Sequence, residues 1–344
     1  MTSSTNTSRR RRWWVPVIVV AVVLALIVGV IGAVAATHGP ARSEPTGTIA
    51  TARVDGREIA VVVYKGDTFP HLDLLRIESM GFSTQAEAFD LETGRRVWDT
   101  MLFAEFGGTE AEVLGMGSAY VYVRSAEGLL ILDAATGEIV AREAEIDGLG
   151  DDYIAAIDAY AWDATTRSVV LLDANGRVLS IPADGLAAAD APAEVVERWR
   201  SVLNTRSESG SVFSHDAWEQ VDHRAPMPNG ETVAPVWAAA GWDIDVLLED
   251  GTGLAAGWRD GFAVTQTYQP NSSEAYYFFQ VGDLATGELV GTVEGESSAS
   301  AVTVSDTGRV VLLSDNDTYQ GLLIVASANG IRSSVIGERT LLGW

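Results

Sequence analysis

The stretch HDAWEQVDH gathers His215, Asp216, Glu219, Asp222 and His223 within nine residues, the densest set of metal-capable side chains in the chain. Two imidazoles eight positions apart share a helix face with Glu219 between them, which would suit a divalent cation. The spacing matches no established zinc pattern, so the alternative is an exposed polar stretch. In SDNDTY, Asp315, Asn316 and Asp317 fall in a hairpin turn, and the carboxylates of Asp315 and Asp317 are the hard oxygens that calcium prefers. The full EF-hand loop is absent because no glutamate follows at the required distance, and plain turn formation is the competing role. GDDY at 150–153 carries the same two readings.

No G-x-S-x-G elbow, H-E-x-x-H helix or Walker loop occurs, so hydrolase and nucleotide chemistry have no anchor. GTGLAAG at 251–257 is glycine-rich but follows DIDVLLED and leads into more strand, with no helix N-terminus to receive phosphate. With no cysteine in the chain, disulfides, thiolate metal sites and thiol catalysis are excluded. No cofactor is expected, and calcium, first of all at the Asp315 and Asp317 turn, is the exception the chemistry allows.

Aromatic residues offer a second kind of site. Trp199, Trp218, Trp237, Trp242 and Trp258 lie within a 60-residue span. Since aromatic side chains concentrate at binding surfaces, Trp199, Trp218, Trp237 and Trp242, with His215 and His223, form the candidate recognition surface. The alternative is that these rings pack between sheets. Within ADAPAEVVERWRSVL (189–203), Asp190 is placed to cap a helix and Pro192 to sit in its first turn. Val195, Val196, Trp199, Val202 and Leu203 then share one face, so a short helix is expected on one rim.

The elements that must position these residues are strands. From about residue 48 onward, short runs rich in Val, Ile, Leu and Tyr alternate with Gly, Asn and Asp turns, the pattern of an all-β protein. AYVYV (119–123), LLILD (129–133) and EIVAR (138–142) make a meander joined by RSAEG and AATG, and four such runs recur within 300–337. One turn repeats: Asp90, Thr93 and Gly94; Asp133, Thr136 and Gly137; Asp283, Thr286 and Gly287. The aspartate closes an Asx turn and the glycine supplies positive φ, which makes these residues structural. Val97, Val140 and Val290 follow each glycine by three, so the returning strand restarts in the same register. DANGR at 173–177 is a version one residue shorter.

Turn glycines at 56, 94, 137, 176, 210, 251, 287 and 330 are spaced by 34 to 43 residues. Periods of about 40 with several strands each indicate propeller blades. The expected fold is therefore a β-propeller of about seven four-stranded blades over residues 48–344, its first strands closing against its last. An irregular, partly helical insertion is expected around 186–250.

AFDLETGRRVW resembles the repeat of the PQQ-type, or quinoprotein-like, β-propeller superfamily. Ala88, Asp90, Thr93, Gly94 and Trp98 keep every spacing of its A-x-D-x-x-T-G-x-x-x-W turn. The turns at Asp133 and Asp283 match without the tryptophan. The resemblance implies a propeller fold shared by enzymes, outer-membrane assembly factors and proteins of unknown role, so the fold by itself gives little function. Dehydrogenases of the superfamily hold a quinone and calcium, typically with a vicinal cysteine pair, which this chain lacks.

The first 36 residues stand apart. SRRRRWW leads into an uncharged stretch at 15–36, which as a helix spans about 33 Å, the hydrocarbon thickness of a bilayer. A transmembrane helix is expected there, with residues 1–14 as a basic cytoplasmic tail and 37–47 as a linker. Arg9 to Arg12 orient it with the N-terminus inside, and Trp13 and Trp14 suit the headgroup interface. A cleaved signal peptide is the alternative reading, AVAAT supplying small residues at a cut site.

Four of the 23 basic residues precede this helix and no acid does, leaving 19 basic against 47 acidic residues beyond it. Such a surface repels phosphate backbones, so nucleic acid is not an expected partner. Lys65 is the single lysine, a bias pointing to a GC-rich, actinobacterial-type origin. The expected function is a plasma-membrane-anchored extracytoplasmic module that binds or scaffolds an envelope protein or ligand. A quinoprotein-like or lyase-type enzyme using the propeller channel, and an extracytoplasmic sensor domain, are the alternatives.

Overall fold

The computed structural model describes residues 43–67, 82–104, 109–204, 218–221, 236–239, 254–255, 262–269, 276–283, 289–297, 299–316 and 320–338. All fall in one compact unit, Ala41–Thr68 with Gly81–Glu338. The expected membrane helix at 15–36 lies outside the described residues. Among the described residues no helix is long and apolar enough to cross a membrane.

Consecutive strands pair antiparallel to make consecutive sheets. The first sheet is β1 (Ser43–Val54), β2 (Arg57–Asp67), β3 (Phe82–Asp90) and β4 (Arg96–Phe103). The second is β5 (Ala111–Met116), β6 (Tyr120–Ser125), β7 (Gly128–Asp133) and β8 (Ile139–Arg142). The third is β9 (Tyr160–Asp163), β10 (Ser168–Leu172), β11 (Val178–Pro182) and β12 (Ala189–Asp190). After the two-stranded β13 (Trp218–Val221) and β14 (Val236–Ala239) comes a fourth sheet of β15 (Leu254–Ala255), β16 (Phe262–Gln269), β17 (Tyr276–Asp283) and β18 (Leu289–Gly295). The fifth is β19 (Ala301–Val304), β20 (Val310–Asp315), β21 (Gly321–Ser327) and β22 (Gly330–Val335).

The second and third strands read as unbroken apolar runs because both of their faces are covered. Successive residues point to opposite faces. In β2, Ile59, Val61 and Val63 enter a core shared with the second sheet, while Ala60, Val62 and Tyr64 enter one shared with the fifth. In β7, Leu130 and Leu132 face the first sheet and Leu129 and Ile131 face the third. In β21, Leu323 and Val325 face the first sheet and Leu322 and Ile324 the fourth. Fourth, fifth, first, second and third sheets thus pack face to face in that order. This is the succession expected of propeller blades, with the last sheet docked on the first.

The structure corrects several expectations. Ser43, Glu44 and Pro45 pair with Gly66, Lys65 and Tyr64, so strand begins inside the stretch taken as linker. The ladder resumes at Ile49 after a bulge, and that irregularity hid the strand's start. The glycine ladder mixed different turns. Gly56 closes the β1–β2 hairpin and Gly94 the β3–β4 turn of the same sheet, whereas Gly176 lies between the second and third strands of its own. Asp55 and Gly56 both have positive φ, a two-residue hairpin unrelated to the Thr-Gly turn. The described residues hold five four-stranded sheets and one two-stranded pair, and the expectation of about seven blades extends over residues outside them.

Candidate functional site

The repeated turn is built alike at both places where it is described in full. Asp90 Oδ1 accepts the amides of Glu92 and Thr93 at 2.9 and 2.8 Å and the Thr93 hydroxyl at 3.0 Å. Asp133 Oδ1 accepts those of Ala135 and Thr136 at 2.9 Å each and the Thr136 hydroxyl at 3.1 Å. Gly94 and Gly137 sit at φ +72° and +76°, where a β-carbon is strained. Val97, Val140 and Val290 are each the residue skipped by the ladder, so the shared register is a shared bulge. Thr286 and Gly287 lie outside the described residues, but the bulge at Val290 puts β18 in the same frame.

The turn is also the socket for the preceding sheet. Trp98 on β4 is buried and its indole N–H donates to Ala134 O at 2.9 Å, while the Thr100 hydroxyl donates to Gly137 O at 2.8 Å. A β-carbon on Gly137 would come within 2.6 Å of the Trp98 ring. On β22, Arg332 and Ser334 stand two apart as Trp98 and Thr100 do. The Ser334 hydroxyl donates to Gly94 O at 2.7 Å and the Arg332 guanidinium donates to Glu92 O. The fifth sheet therefore engages the first in the way the first engages the second.

The expected helix exists as α1 (Ala193–Trp199), shorter and later than 189–203 and packed on a sheet face where a rim position was expected. Asp190 pairs with Leu179 in β12 and so does not cap it. Val195 and Leu203 are buried against Val170 and Val178, with Val196 and Trp199 packed alongside, but Val202 is exposed. The helix thereby covers the face of the third sheet that the second sheet leaves free. Trp199 is held in this arrangement: its indole N–H donates to Asp163 Oδ2 at 3.1 Å, which also takes Arg198 at 2.5 Å. Asp163 Oδ1 accepts Thr165 and Thr166 amides at 2.9 and 3.3 Å. Burial pushes this carboxyl up, yet the bonds from Trp199, Thr166 and Thr165 and the charge of Arg198 outweigh it and hold it below the usual aspartate value. Of the candidate recognition residues, Trp199 is thus committed to packing. Trp218 and Trp237 lie on β13 and β14, whose register pairs Trp218 with Ala239 and Gln220 with Trp237. Trp242, His215 and His223 lie outside the described residues.

Asp315 ends β20, and its Oδ2 accepts the Ser297 hydroxyl at 3.2 Å. Burial, together with the nearby Glu44 charge, lifts its carboxyl above the ordinary value against that bond. Asp317 lies outside the described residues. Among the described residues no group of three or more His, Cys, Asp or Glu side chains is placed to hold a metal.

The buried acids among the described residues, Glu58, Glu87, Glu112, Asp163 and Asp173, were missed as a set by sequence reasoning. Each meets an arginine, respectively Arg309 at 2.6 Å, Arg96 at 3.0 Å, Arg124 at 2.6 Å, Arg198 at 2.5 Å and Arg177 at 2.7 Å. Only the Asp173–Arg177 and Asp163 turns carried a local signal, an aspartate followed by Asn-Gly or Thr-Thr.

No family model matches the chain. No curated protein matches it either. Among solved structures, it is similar to BamB from Moraxella catarrhalis at 15% identity over 85% of this chain and 76% of that one, with a TM-score of 0.24. TolB from Acinetobacter baumannii is 11% identical over 87% and 80%, with a TM-score of 0.29. A chain of a mitotic checkpoint complex is 10% identical over 89% and 87%, at 0.23.

Proposed function

We propose that this chain is a membrane-anchored, extracytoplasmic β-propeller with quinoprotein-like repeat turns that binds or scaffolds an envelope protein or ligand. The observation that carries the binding reading is the disposition of the buried carboxylates. All five found among the described residues, from Glu58 to Asp173, are bonded to arginines of the same fold. Side chains of the kind used for acid–base chemistry are here parts of joints and turns. Rim loops on a stack of packed sheets are where such a module places its contacts. The anchor is supported by the uncharged stretch at 15–36 behind Arg9 to Arg12.

Crosslinking and capture of the full-length protein from its native membrane tests this reading. Wild type is compared with a Trp218→Ala, Trp237→Ala and Trp242→Ala variant whose folding is verified by circular dichroism. A specific envelope protein should be enriched by wild type and lost with the variant. Equal enrichment by both would remove the tryptophan rim, and no enrichment by wild type would remove the protein-scaffold reading. Carbonate washing checks the anchor: the full chain should stay with the membrane, and a chain lacking 15–36 should be released.

A further inference from the structure

In an antiparallel meander successive links fall at alternate ends, so each described four-stranded sheet has one end where its first strand starts and an opposite one. Bonds between links carry this division from sheet to sheet. At the end where β1 starts, Ser43 bridges to Gln320 in the β20–β21 link. There the Thr84 hydroxyl, near the start of β3, donates to Thr109 O at 2.6 Å in the β4–β5 link. The Ala126 amide of the β6–β7 turn donates to Glu110 O at 3.0 Å, and the Ala174 amide of the β10–β11 turn donates to Asp152 O at 2.8 Å in the β8–β9 link. At the opposite end the Thr307 amide of the β19–β20 turn donates to Glu58 at 2.9 Å, and the Ser118 hydroxyl of the β5–β6 turn donates to Asp184 at 3.0 Å in the β11–β12 link. The Thr-Gly turns at Gly94 and Gly137 lie at this second end.

The anchor proposed above ends at residue 36, and the chain from there to Ser43 reaches at most about 25 Å. Ser43 itself is fixed. It pairs with Gly66, and its hydroxyl donates to Ile336 O at 2.6 Å and accepts the Gly321 amide at 2.9 Å, so β1 does not peel back to lengthen the tether. β1 and β2 hold 12 and 11 residues, which at about 3.3 Å per residue carry the first sheet over about 35 Å. The tether is shorter than that rise, so the unit cannot turn over and lay its far end on the lipid. Glu44, Glu110, Glu127 and Asp151 are exposed at the Ser43 end and oppose adsorption onto anionic headgroups, which leaves the tether to set the orientation.

We propose that the unit stands with its Ser43 end toward the bilayer and its Thr-Gly turn end away, which makes the turn end the rim that a soluble envelope partner reaches. This rests on the anchor proposed above and specifies which rim that binding module presents.

Energy transfer to lipid tests it on the full chain in phosphatidylcholine vesicles carrying a headgroup-linked acceptor. The chain has no cysteine, so a single introduced one takes the donor dye alone. Ala126→Cys and Ala174→Cys mark the Ser43 end, and Ala164→Cys and Ala328→Cys mark the turn end, all four alanines being exposed. The five residues of β10 separate the two ends of its sheet by about 15 Å, so dyes at 126 and 174 should lie nearer the lipid than those at 164 and 328 by about that distance. Equal transfer from both ends, or the reverse order, in a chain that floats with the vesicles would overturn the orientation and leave the anchor standing. Failure of the full chain to float would remove the anchor and the orientation with it. Two positions at each end keep the comparison decisive when circular dichroism shows one variant unfolded.

Discussion

The buried carboxylates divide by what surrounds them, and the division sets how stability follows pH. Asp163 and Glu58 are pushed up by burial, but their hydrogen bonds and arginines prevail and hold both below ordinary values. Glu87 and Glu112 are lifted by burial more than Gly337, Arg96 and Arg124 can offset. A depressed acid stabilises the fold above its unfolded pKa, and that contribution is lost as pH falls through the folded value. A raised acid has the opposite sign, because the folded state takes the proton first. The melting-temperature advantage of wild type over Asp163→Asn should therefore shrink as pH falls below the ordinary aspartate value. Its difference from Glu87→Gln should shift in favour of wild type as pH falls towards the ordinary glutamate value from above. Thermal melts of the three proteins across pH check both signs, and parallel curves would overturn the assignment. None of these pairings was visible beforehand in Glu58, whose arginine lies 251 residues away. Acid–arginine partners at such separation leave no mark in local spacing.

At the scale of the element, the Thr-Gly turn was legible because all its bonds close within a few residues. Asp90 and Asp133 make the Asx turns expected of them, and the glycines take the positive φ. What spacing did not show is that Gly137 is required twice, once for its backbone and once because Trp98 lies against it. Gly137→Ala should destabilise by about 2 kcal/mol or more, combining a strained φ with displacement of a packed ring. Gly176→Ala meets nothing within 4 Å at a similar φ of +76°, so it isolates the conformational cost, about 1 kcal/mol. Denaturant unfolding of the two variants checks the order, and equal losses would show that the Trp98 contact contributes nothing. The helix was read correctly as a short amphipathic interruption, but its start was not. Asp190 satisfies the capping pattern in sequence, yet β12 pairing takes it, and Pro192 precedes the first turn instead. Tertiary pairing overrode a local signal there.

At the scale of the molecule, the all-β class followed from strand patterning, whereas the glycine ladder does not count sheets, since Gly56 and Gly94 mark two turns of one sheet. Charge is the remaining global property, and it competes with the ion pairs. The chain carries a net charge of −24, which makes the compact state self-repelling. Two of its ion pairs are sheltered: the side chains of Glu58 and Glu112 are 4% and 5% exposed, and those of Arg309 and Arg124 are 26% and 14%. Salt screens exposed charges over a Debye length that falls from about 30 Å at 0.01 M to about 10 Å at 0.1 M, and it touches sheltered pairs much less. Relief of surface repulsion should prevail, so the melting temperature should rise across that range. Arg309→Met should start lower and rise with nearly the same slope, because the pair it removes was hardly screened. A melting temperature that falls with salt would mean that ion pairs outweigh repulsion, and a flatter slope in the variant would mean that Glu58 and Arg309 are open to solvent.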